Sequence, residues 1–224
     1  MSVNTTAFHQ IKKELTASGV DLIAVSKTKP HQDIIDLYEI GQRDFGENYV
    51  QELVDKAASL PTDIHWHFIG HLQSNKVKFI APFVHLIHGV DSEKLLQEIN
   101  KQALKNNRVI DVLLQVHIAT EETKFGFDAS SLMELIQSNR LIQYQNISVK
   151  GLMGMASFTD DMHKVKTEFA SLSQLFQQVK TILPANSFQT LSMGMSSDYA
   201  LAIQQGSTMV RIGSLLFGAR EYAK

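Results

Sequence analysis

The chain of 224 residues contains no cysteine, which excludes a disulfide framework and any metal site built on thiolates. It also lacks a strong charge of either sign. The formal net charge is −2, whereas proteins that bind nucleic acid electrostatically usually carry a basic patch. No apolar run approaches the roughly 18 residues of a membrane span, and residues 1–13 lack the apolar stretch of a secretory signal. We therefore expect a cytoplasmic protein with no nucleic-acid or membrane partner.

What the chain does contain is typical of a globular α/β protein. Hydrophobic residues make up 44% and charged residues 20%, and this length suits a single α/β barrel. No linker rich in proline, glycine or serine, no internal repeat and no shift of composition divides the sequence. We therefore expect residues 1–224 to form one domain.

Short β-branched runs alternate with segments of helical periodicity. Eight strands are predicted, at residues 22–27, 44–48, 65–70, 86–90, 111–118, 148–156, 190–194 and 209–213. Helices are predicted at residues 8–17, 32–40, 49–59, 92–106, 129–139 and 163–183, with a loop at 139–148. Alternation of this kind implies a parallel sheet, and eight units close most naturally into a (β/α)₈ TIM barrel preceded by an extra helix. An open doubly wound sheet is the alternative, but no Gly-x-Gly-x-x-Gly follows the first strand.

A lysine ends the first predicted strand. Lys27 shares strand parity with Ile23 and Val25, so its amine points inward if those side chains do. A lysine held in one place can form a Schiff base with a carbonyl compound, although a solvated turn lysine is the simpler interpretation of this segment alone. Lys29 has the same parity but lies beyond the strand, so it ranks second.

Two segments, at residues 191–196 and 209–214, end the seventh and eighth strands, and each places glycine and serine directly after a short apolar run. In barrels of this class a phosphate often binds the loops at those two positions, where backbone amides face an anion. Closure of the barrel places Lys27 beside the eighth strand. A lysine-bound aldehyde that carries a phosphate describes pyridoxal 5′-phosphate. Arg211 would then face the pyridine nitrogen and leave it unprotonated, because arginine keeps its own proton.

Seven motifs, in order along the chain, resemble the pyridoxal-phosphate homeostasis protein family. They are AVSKTKP (24–30), FGENYVQE (45–52), WHFIG (66–70), LQSNK (72–76), GLM (151–153), SMGMS (192–196) and MVRIG (209–213). The family resembles the N-terminal barrel of alanine racemase without that enzyme's C-terminal β-domain. The resemblance implies a covalent aldimine on Lys27, Arg211 at the pyridine nitrogen and Asn48 beside the ring. It also implies phosphate binding by Ser192, Gly213 and Ser214, with Met193, Gly194 and Met195 lining the pocket less directly.

Other signals carry less weight. His65 and His67, with His71 beyond them, have a spacing that can hold zinc. No third ligand lies at a diagnostic spacing, so hydrogen-bonded barrel histidines are favoured and no metal site is predicted. His85 and His88 are expected to be packing or rim residues. Residues 121–126 are expected at the rim of the functional face, and a cofactor or partner contact is the second interpretation.

The favoured function is a carrier that buffers pyridoxal 5′-phosphate and maintains vitamin B6 and amino-acid or keto-acid balance, without substantial catalytic turnover. PLP-dependent apo-enzymes are its expected acceptors, and a monomer is its expected state. The alternative is a PLP-dependent amino-acid racemase-like enzyme. Racemisation needs bases on both faces of the substrate α-carbon, and Lys27 supplies one. A pure protein-interaction module is disfavoured, since it has no need of a Schiff-base lysine.

Overall fold

The structure is a computed structural model, and it describes residues 3–119, 125–184 and 187–218. Eight parallel strands form a closed barrel in chain order, and β8 pairs back with β1. The strands are β1 (Asp21–Val25), β2 (Asp44–Glu47), β3 (His65–Phe68), β4 (Leu86–Val90), β5 (Ile110–Val116), β6 (Ile147–Gly154), β7 (Thr190–Ser192) and β8 (Met209–Ile212). The predicted (β/α)₈ barrel is confirmed, and the open sheet is excluded.

Helices cover the outside of this barrel. They are α1 (Thr5–Ala17), α2 (His31–Glu39), α3 (Val50–Ser59), α4 (Val77–Ile80), α5 (Glu93–Lys105), α6 (Ala129–Gln137), α7 (Met162–Lys180), α8 (Tyr199–Gln204) and α9 (Ser214–Phe217). The predicted extra helix before the first strand is α1. Short 3₁₀ turns occupy Ser74–Lys76 and Arg140–Gln143, the latter in the segment predicted as a loop. No helix of the described part of the chain is long and apolar enough to cross a membrane.

Strand parity divides the core into two layers. Leu22 and Ala24 of β1 pack outward into the large cluster between strands and helices. Ile23, between them, packs inward with Leu86, Leu113, Met153 and Met209 to fill one level of the barrel interior. Because alternate side chains of a strand share a face, Val25 and Lys27 follow Ile23 on the inner side towards the carboxyl end.

Helix starts and faces follow the sequence pattern. Asp128 caps α6 by accepting a hydrogen bond from the Ser131 amide (2.8 Å), as aspartate does at helix N-termini. In α7 apolar residues recur at three- and four-residue steps, and the buried ones are Val165, Phe169, Leu172, Leu175, Phe176 and Val179. The face that these residues form packs against the barrel, which is the predicted orientation of an amphipathic helix.

Candidate functional site

A pocket of about 500 Å³ opens at the carboxyl ends of the barrel strands, the end that carries active sites in this fold. Six residues predicted from the sequence line it: Lys27, Asn48, Met195, Arg211, Gly213 and Ser214. Lys29, the second-ranked lysine, lines it as well. The remaining lining residues were not predicted as site residues, and they are Val25, Ile69, Met155, Phe158, Ser196, Ser197, Leu215 and Gly218.

Three predicted residues lie outside the pocket lining. Ser192 is buried one level below, where its hydroxyl oxygen accepts a hydrogen bond from Arg211 Nη1 (2.6 Å). Met193 packs into the outer core. Gly194 forms the turn after β7 with φ +97°, and a Cβ added there would lie 2.6 Å from Ala202 Cβ. The predicted roles of Ser192 in binding phosphate and of Met193 and Gly194 in lining the pocket stay predictions.

The chain turns sharply just after Lys27. Strand β1 ends at Val25, where the register with Gly46 of β2 also ends. Thr28 has φ +64°, a left-handed conformation that is uncommon for residues other than glycine. The turn leaves Lys27 half-buried at the pocket wall. Lys29 also lines the pocket, and its ammonium donates to the carbonyl oxygen of Phe217 (2.7 Å).

A buried ion cluster holds the peptide groups on either side of Lys27. Lys56 Nζ donates to the carbonyl oxygen of Ser26 (2.8 Å), to Glu47 Oε1 (2.8 Å) and to Glu52 Oε1 (2.6 Å). Glu52 Oε1 also accepts from the Thr28 amide (2.6 Å). Buried hydrogen bonds restrict the geometry of the groups that they join, so these bonds stabilise the unusual backbone that positions Lys27, although Glu47 Oε2 is buried without a hydrogen-bond partner.

Glu47 in this cluster gives a pH-dependent stability. Burial raises its pKa from 4.5 to about 7, although hydrogen bonds from Lys56 and Ser26 oppose the rise. Between those values the folded chain retains a proton that the unfolded chain has released, so the free energy of unfolding falls as the pH rises through this window. We expect Glu47→Gln to flatten that fall, measured by urea unfolding from pH 5 to pH 8. The exposed control Glu39→Gln should keep the wild-type slope, and a wild-type slope in Glu47→Gln would contradict the assignment.

Asn48 reaches the pocket because a glycine lies against it. A Cβ added at Gly70 would lie 2.4 Å from the Asn48 carbonyl oxygen and 2.9 Å from its Cα. Real Cβ atoms essentially never approach so closely, so any larger residue at this position would displace the Asn48 backbone. The glycine that ends the WHFIG motif is thus explained by the approach of the loop after β3 to the loop after β2.

Arg211 forms the buried floor of the pocket. Its guanidinium donates to the Ser192 carbonyl oxygen (2.9 Å) through Nη1 and to the Gly154 carbonyl oxygen (3.1 Å) through Nη2. Burial lowers the pKa of Arg211 to about 10, and the charge of Asp198 counteracts this. Arg211 therefore stays protonated near neutral pH, in an orientation that three strands fix.

A column of polar side chains runs from Arg211 down through the barrel. The Ser192 hydroxyl lies 3.3 Å from His88 Nδ1, and His88 Nε2 lies 3.0 Å from His67 Nδ1. His67 Nε2 lies 3.1 Å from Asp44 Oδ1. Burial lowers the pKa of His88 well below its usual range, so its ring is neutral. His67 is hydrogen-bonded, as expected from the sequence, and His88, which was expected to be a packing or rim residue, is a buried member of the same column.

The loops after β7 and β8 meet at the pocket. The Gly213 amide donates to Ser196 Oγ (3.2 Å), which joins the two loops. The first intrahelical bonds of α9 run from the amides of Leu216 and Phe217 to the Gly213 carbonyl (both 2.9 Å). The amides of Ser214 and Leu215 therefore precede the helical bonding pattern, as the first amides of a helix do, beside the Ser214 hydroxyl on the pocket wall.

The lining residues that were not predicted lie at the pocket because the fold brings their loops together, and the sequence does not show which loops meet. Ser196 and Ser197 come directly after the glycine turn of β7, so the glycine–serine motif was the available signal for them. Met155 and Phe158 come from the loop after β6, where no site residue was predicted from the sequence. Of the predicted rim segment 121–126, residues 121–124 lie outside the described residues, and Phe125 stacks on His71 with ring centroids 3.8 Å apart.

Comparison with known proteins places the chain in a family. Residues 7–221 match the family model described as alanine racemase, N-terminal domain. A pyridoxal phosphate homeostasis protein of Pasteurella multocida is 42% identical over 210 residues, which cover 92% of this chain and 89% of that protein. The human pyridoxal phosphate homeostasis protein is 40% identical, with 95% of this chain and 81% of that protein covered.

Solved structures agree with these sequence relatives. PipY of Synechococcus elongatus with PLP bound superposes with a TM-score of 0.84 at 36% identity, covering 95% of this chain and 99% of that one. An alanine racemase of Bartonella henselae, 19% identical with a TM-score of 0.69, covers 94% of this chain and 58% of its own and shares the fold alone. The motifs, the barrel and these relatives agree: the chain belongs to the pyridoxal phosphate homeostasis protein family.

Proposed function

We propose that this protein binds pyridoxal 5′-phosphate and acts as its carrier, buffering the cofactor and so maintaining vitamin B6 and amino-acid or keto-acid balance. The observation that carries the proposal is the pocket at the carboxyl end of the barrel, which is lined by a lysine amine, a buried guanidinium and two hydroxyl-bearing loops. Relatives of about 40% identity are named for the homeostasis of this cofactor.

The donor set fits the chemistry of that cofactor. Lys27 supplies an amine on the inner face of the barrel, so its Nζ can add to the cofactor's aldehyde carbon, and loss of water leaves an imine that water or another amine reverses. Asn48 lines the pocket and would lie beside the cofactor ring, and the loops of Ser196 and Ser214 would offer hydroxyls and amides to the phosphate. The pocket volume of about 500 Å³ lies within the range of small-molecule sites.

Arg211 favours a carrier over an enzyme. A guanidinium that keeps its proton cannot accept a hydrogen bond from a protonated pyridine nitrogen, as a carboxylate partner does. The ring nitrogen would therefore stay unprotonated, and the bound ring would be a weak electron sink. Racemisation also needs a second base opposite Lys27. The racemase-like alternative is favoured only by the shared fold, and the experiment below decides between them.

The same proposal extends to the location and the oligomeric state of the protein. A carrier that supplies PLP-dependent apo-enzymes would work in the cytoplasm, where those acceptors are made, and would need only one barrel to hold one cofactor molecule. We therefore propose a cytoplasmic monomer whose partners are the cofactor and the apo-enzymes that receive it.

The carrier and enzyme hypotheses give different results in one pair of assays. Holo-protein mixed with an apo-aminotransferase should restore aminotransferase activity, because the imine is reversible and the pocket is open to solvent. The same holo-protein incubated with single enantiomers of alanine in heavy water should show no α-proton exchange near the roughly 1–1,000 s⁻¹ of ordinary enzymes. Free pyridoxal 5′-phosphate at equal concentration is the control for transfer. Exchange at enzymatic rates without transfer would favour the racemase-like enzyme.

A further inference from the structure

A second cluster of chemistry-bearing side chains lies at the opposite end of the barrel from the pocket. Asp44 begins β2, His65 begins β3 and His85 directly precedes β4. Because the amino ends of parallel strands meet at one end of a barrel, the chain brings these residues together although 20 or so positions separate each from the next. This arrangement supplies the third ligand that the histidine spacing alone does not reveal.

Three ligand atoms converge in this cluster. Asp44, His67 and His85 each offer one carboxylate oxygen or ring nitrogen, and the three atoms lie within 4.8 Å of one another. Asp44 Oδ1 and His67 Nε2 are already 3.1 Å apart. Bonds of about 2.0–2.1 Å to a tetrahedral metal put neighbouring ligand atoms roughly 3.3 Å apart. His85 is exposed, so a small rotation of its side chain can bring its ring nitrogen to that distance from the other two ligand atoms.

The second ring nitrogen of His67, which points away from the cluster, already has a hydrogen-bond partner. His67 Nδ1 is hydrogen-bonded to His88 Nε2 (3.0 Å), and both rings are buried. Metal-binding histidines almost always use their second nitrogen in this way, which fixes the ring orientation and the tautomer. His65 supports the cluster from its rim, because its ring stacks on His85 with centroids 4.5 Å apart and its Nδ1 lies 3.1 Å from Asp44 Oδ1.

The surroundings favour a cation with access from solvent. The cluster borders a cavity of about 390 Å³ whose walls also carry Asp21 and Asp111. Of the four charged side chains on those walls, Lys150 is the one cation, and it pairs with Asp111 (3.5 Å). Two imidazoles and one carboxylate suit zinc or a neighbouring transition metal, whereas magnesium and calcium prefer oxygen ligands.

We propose that Asp44, His67 and His85 form a divalent transition-metal site, with Zn²⁺ as the best-fitting ion and water in the fourth position. Two histidines and one carboxylate with an open fourth position match zinc sites that retain a water ligand. The site lies at the amino end of the barrel, so it does not depend on the proposed binding of a cofactor at the carboxyl end.

Equilibrium dialysis of the tag-free full chain against buffered Zn²⁺ tests the site. Wild type should bind one zinc per chain. Asp44→Asn and His85→Ala should each weaken that binding at least tenfold, since each removes one of three protein ligands. His163→Ala, a change of an exposed histidine at the start of α7, is the matched control and should bind as wild type does. A large excess of Mg²⁺ should not displace the zinc.

Thermal unfolding keeps the test decisive if a variant folds poorly. An ion that binds only the folded state raises its melting temperature, so Zn²⁺ should raise the melting temperature of wild type and of His163→Ala. No stoichiometric zinc in wild type and no rise in its melting temperature would overturn the proposal. Zinc binding that is equal in wild type, Asp44→Asn and His85→Ala would overturn it as well, because the ion would then lie elsewhere.

Discussion

Lys27→Ala protein mixed with pyridoxal 5′-phosphate is expected to show no absorbance band of a lysine aldimine, whereas wild type turns yellow. The reason is the position of Lys27 in the pocket. Lys27 is the lysine that continues the inward face of β1, and hydrogen bonds from Lys56 and to Glu52 fix the peptide groups beside it. Loss of a covalent bond should also weaken binding by tenfold or more, and each factor of ten is about 1.4 kcal/mol.

Lys29→Ala is the matched control for this experiment. Lys29 lines the same pocket, but its ammonium donates to the Phe217 carbonyl oxygen and it lies beyond the turn at Thr28. The Lys29 variant should therefore keep the yellow band. Borohydride reduction followed by peptide mapping should place the pyridoxyl group of wild type on Lys27. A label on Lys29 or Lys76 would show that another lysine reacts.

The barrel was predictable because its signal repeats. Strand and helix segments alternate along the chain, and eight strands in such an alternation close most naturally into a barrel. Strand ends were less predictable. The first strand was expected to include Lys27, but its pairing with β2 stops at Val25 and Gly46, and the left-handed Thr28 then turns the chain. No residue type at position 28 announces such a turn.

The short helices were missed for a related reason. Val77–Ile80, Tyr199–Gln204 and Ser214–Phe217 span four to six residues, which is too few to display a helical period. Their positions depend on contacts with the barrel. Their N-terminal amides matter to the site all the same, because α9 begins at the pocket wall.

Residues of the candidate site were predictable where they follow a strand end. Lys27, Asn48, Arg211 and Ser214 come from different strands or loops, but barrel geometry brings the carboxyl ends of all strands together. Buried partners were not predictable, because nothing in the FGENYVQE motif shows that Glu47 on β2 meets Lys56 on α3 at 2.8 Å. Side-chain pairs of this kind depend on the packing of a helix against a strand, which single-sequence patterns do not encode.

Pyridoxal without its phosphate is expected to bind this protein more weakly than pyridoxal 5′-phosphate by orders of magnitude. Ser196 and Ser214 lie on the two loops that meet at the pocket, and the amides of Ser214 and Leu215 precede the helical bonds of α9. Both compounds can form the imine bond, so the difference in affinity comes from the phosphate contacts. Hydrogen bonds to a charged group contribute about 1.5–3 kcal/mol each, and losing two or three of them weakens binding by orders of magnitude. Affinities from absorbance titration of wild type with each compound measure the difference.

A serine variant tests whether the loops after β7 and β8 cause the difference in affinity between the two compounds. Ser214→Ala should weaken the phosphorylated compound by roughly tenfold, in line with one charge-assisted bond, and should leave pyridoxal unchanged, since pyridoxal has no anion for the hydroxyl to meet. Ser171→Ala, on the exposed face of α7, should change neither affinity. If wild type binds both compounds equally, or if Ser214→Ala weakens both by the same factor, the phosphate does not lie between the loops after β7 and β8. The pocket would then hold the cofactor through Lys27 and Arg211 alone.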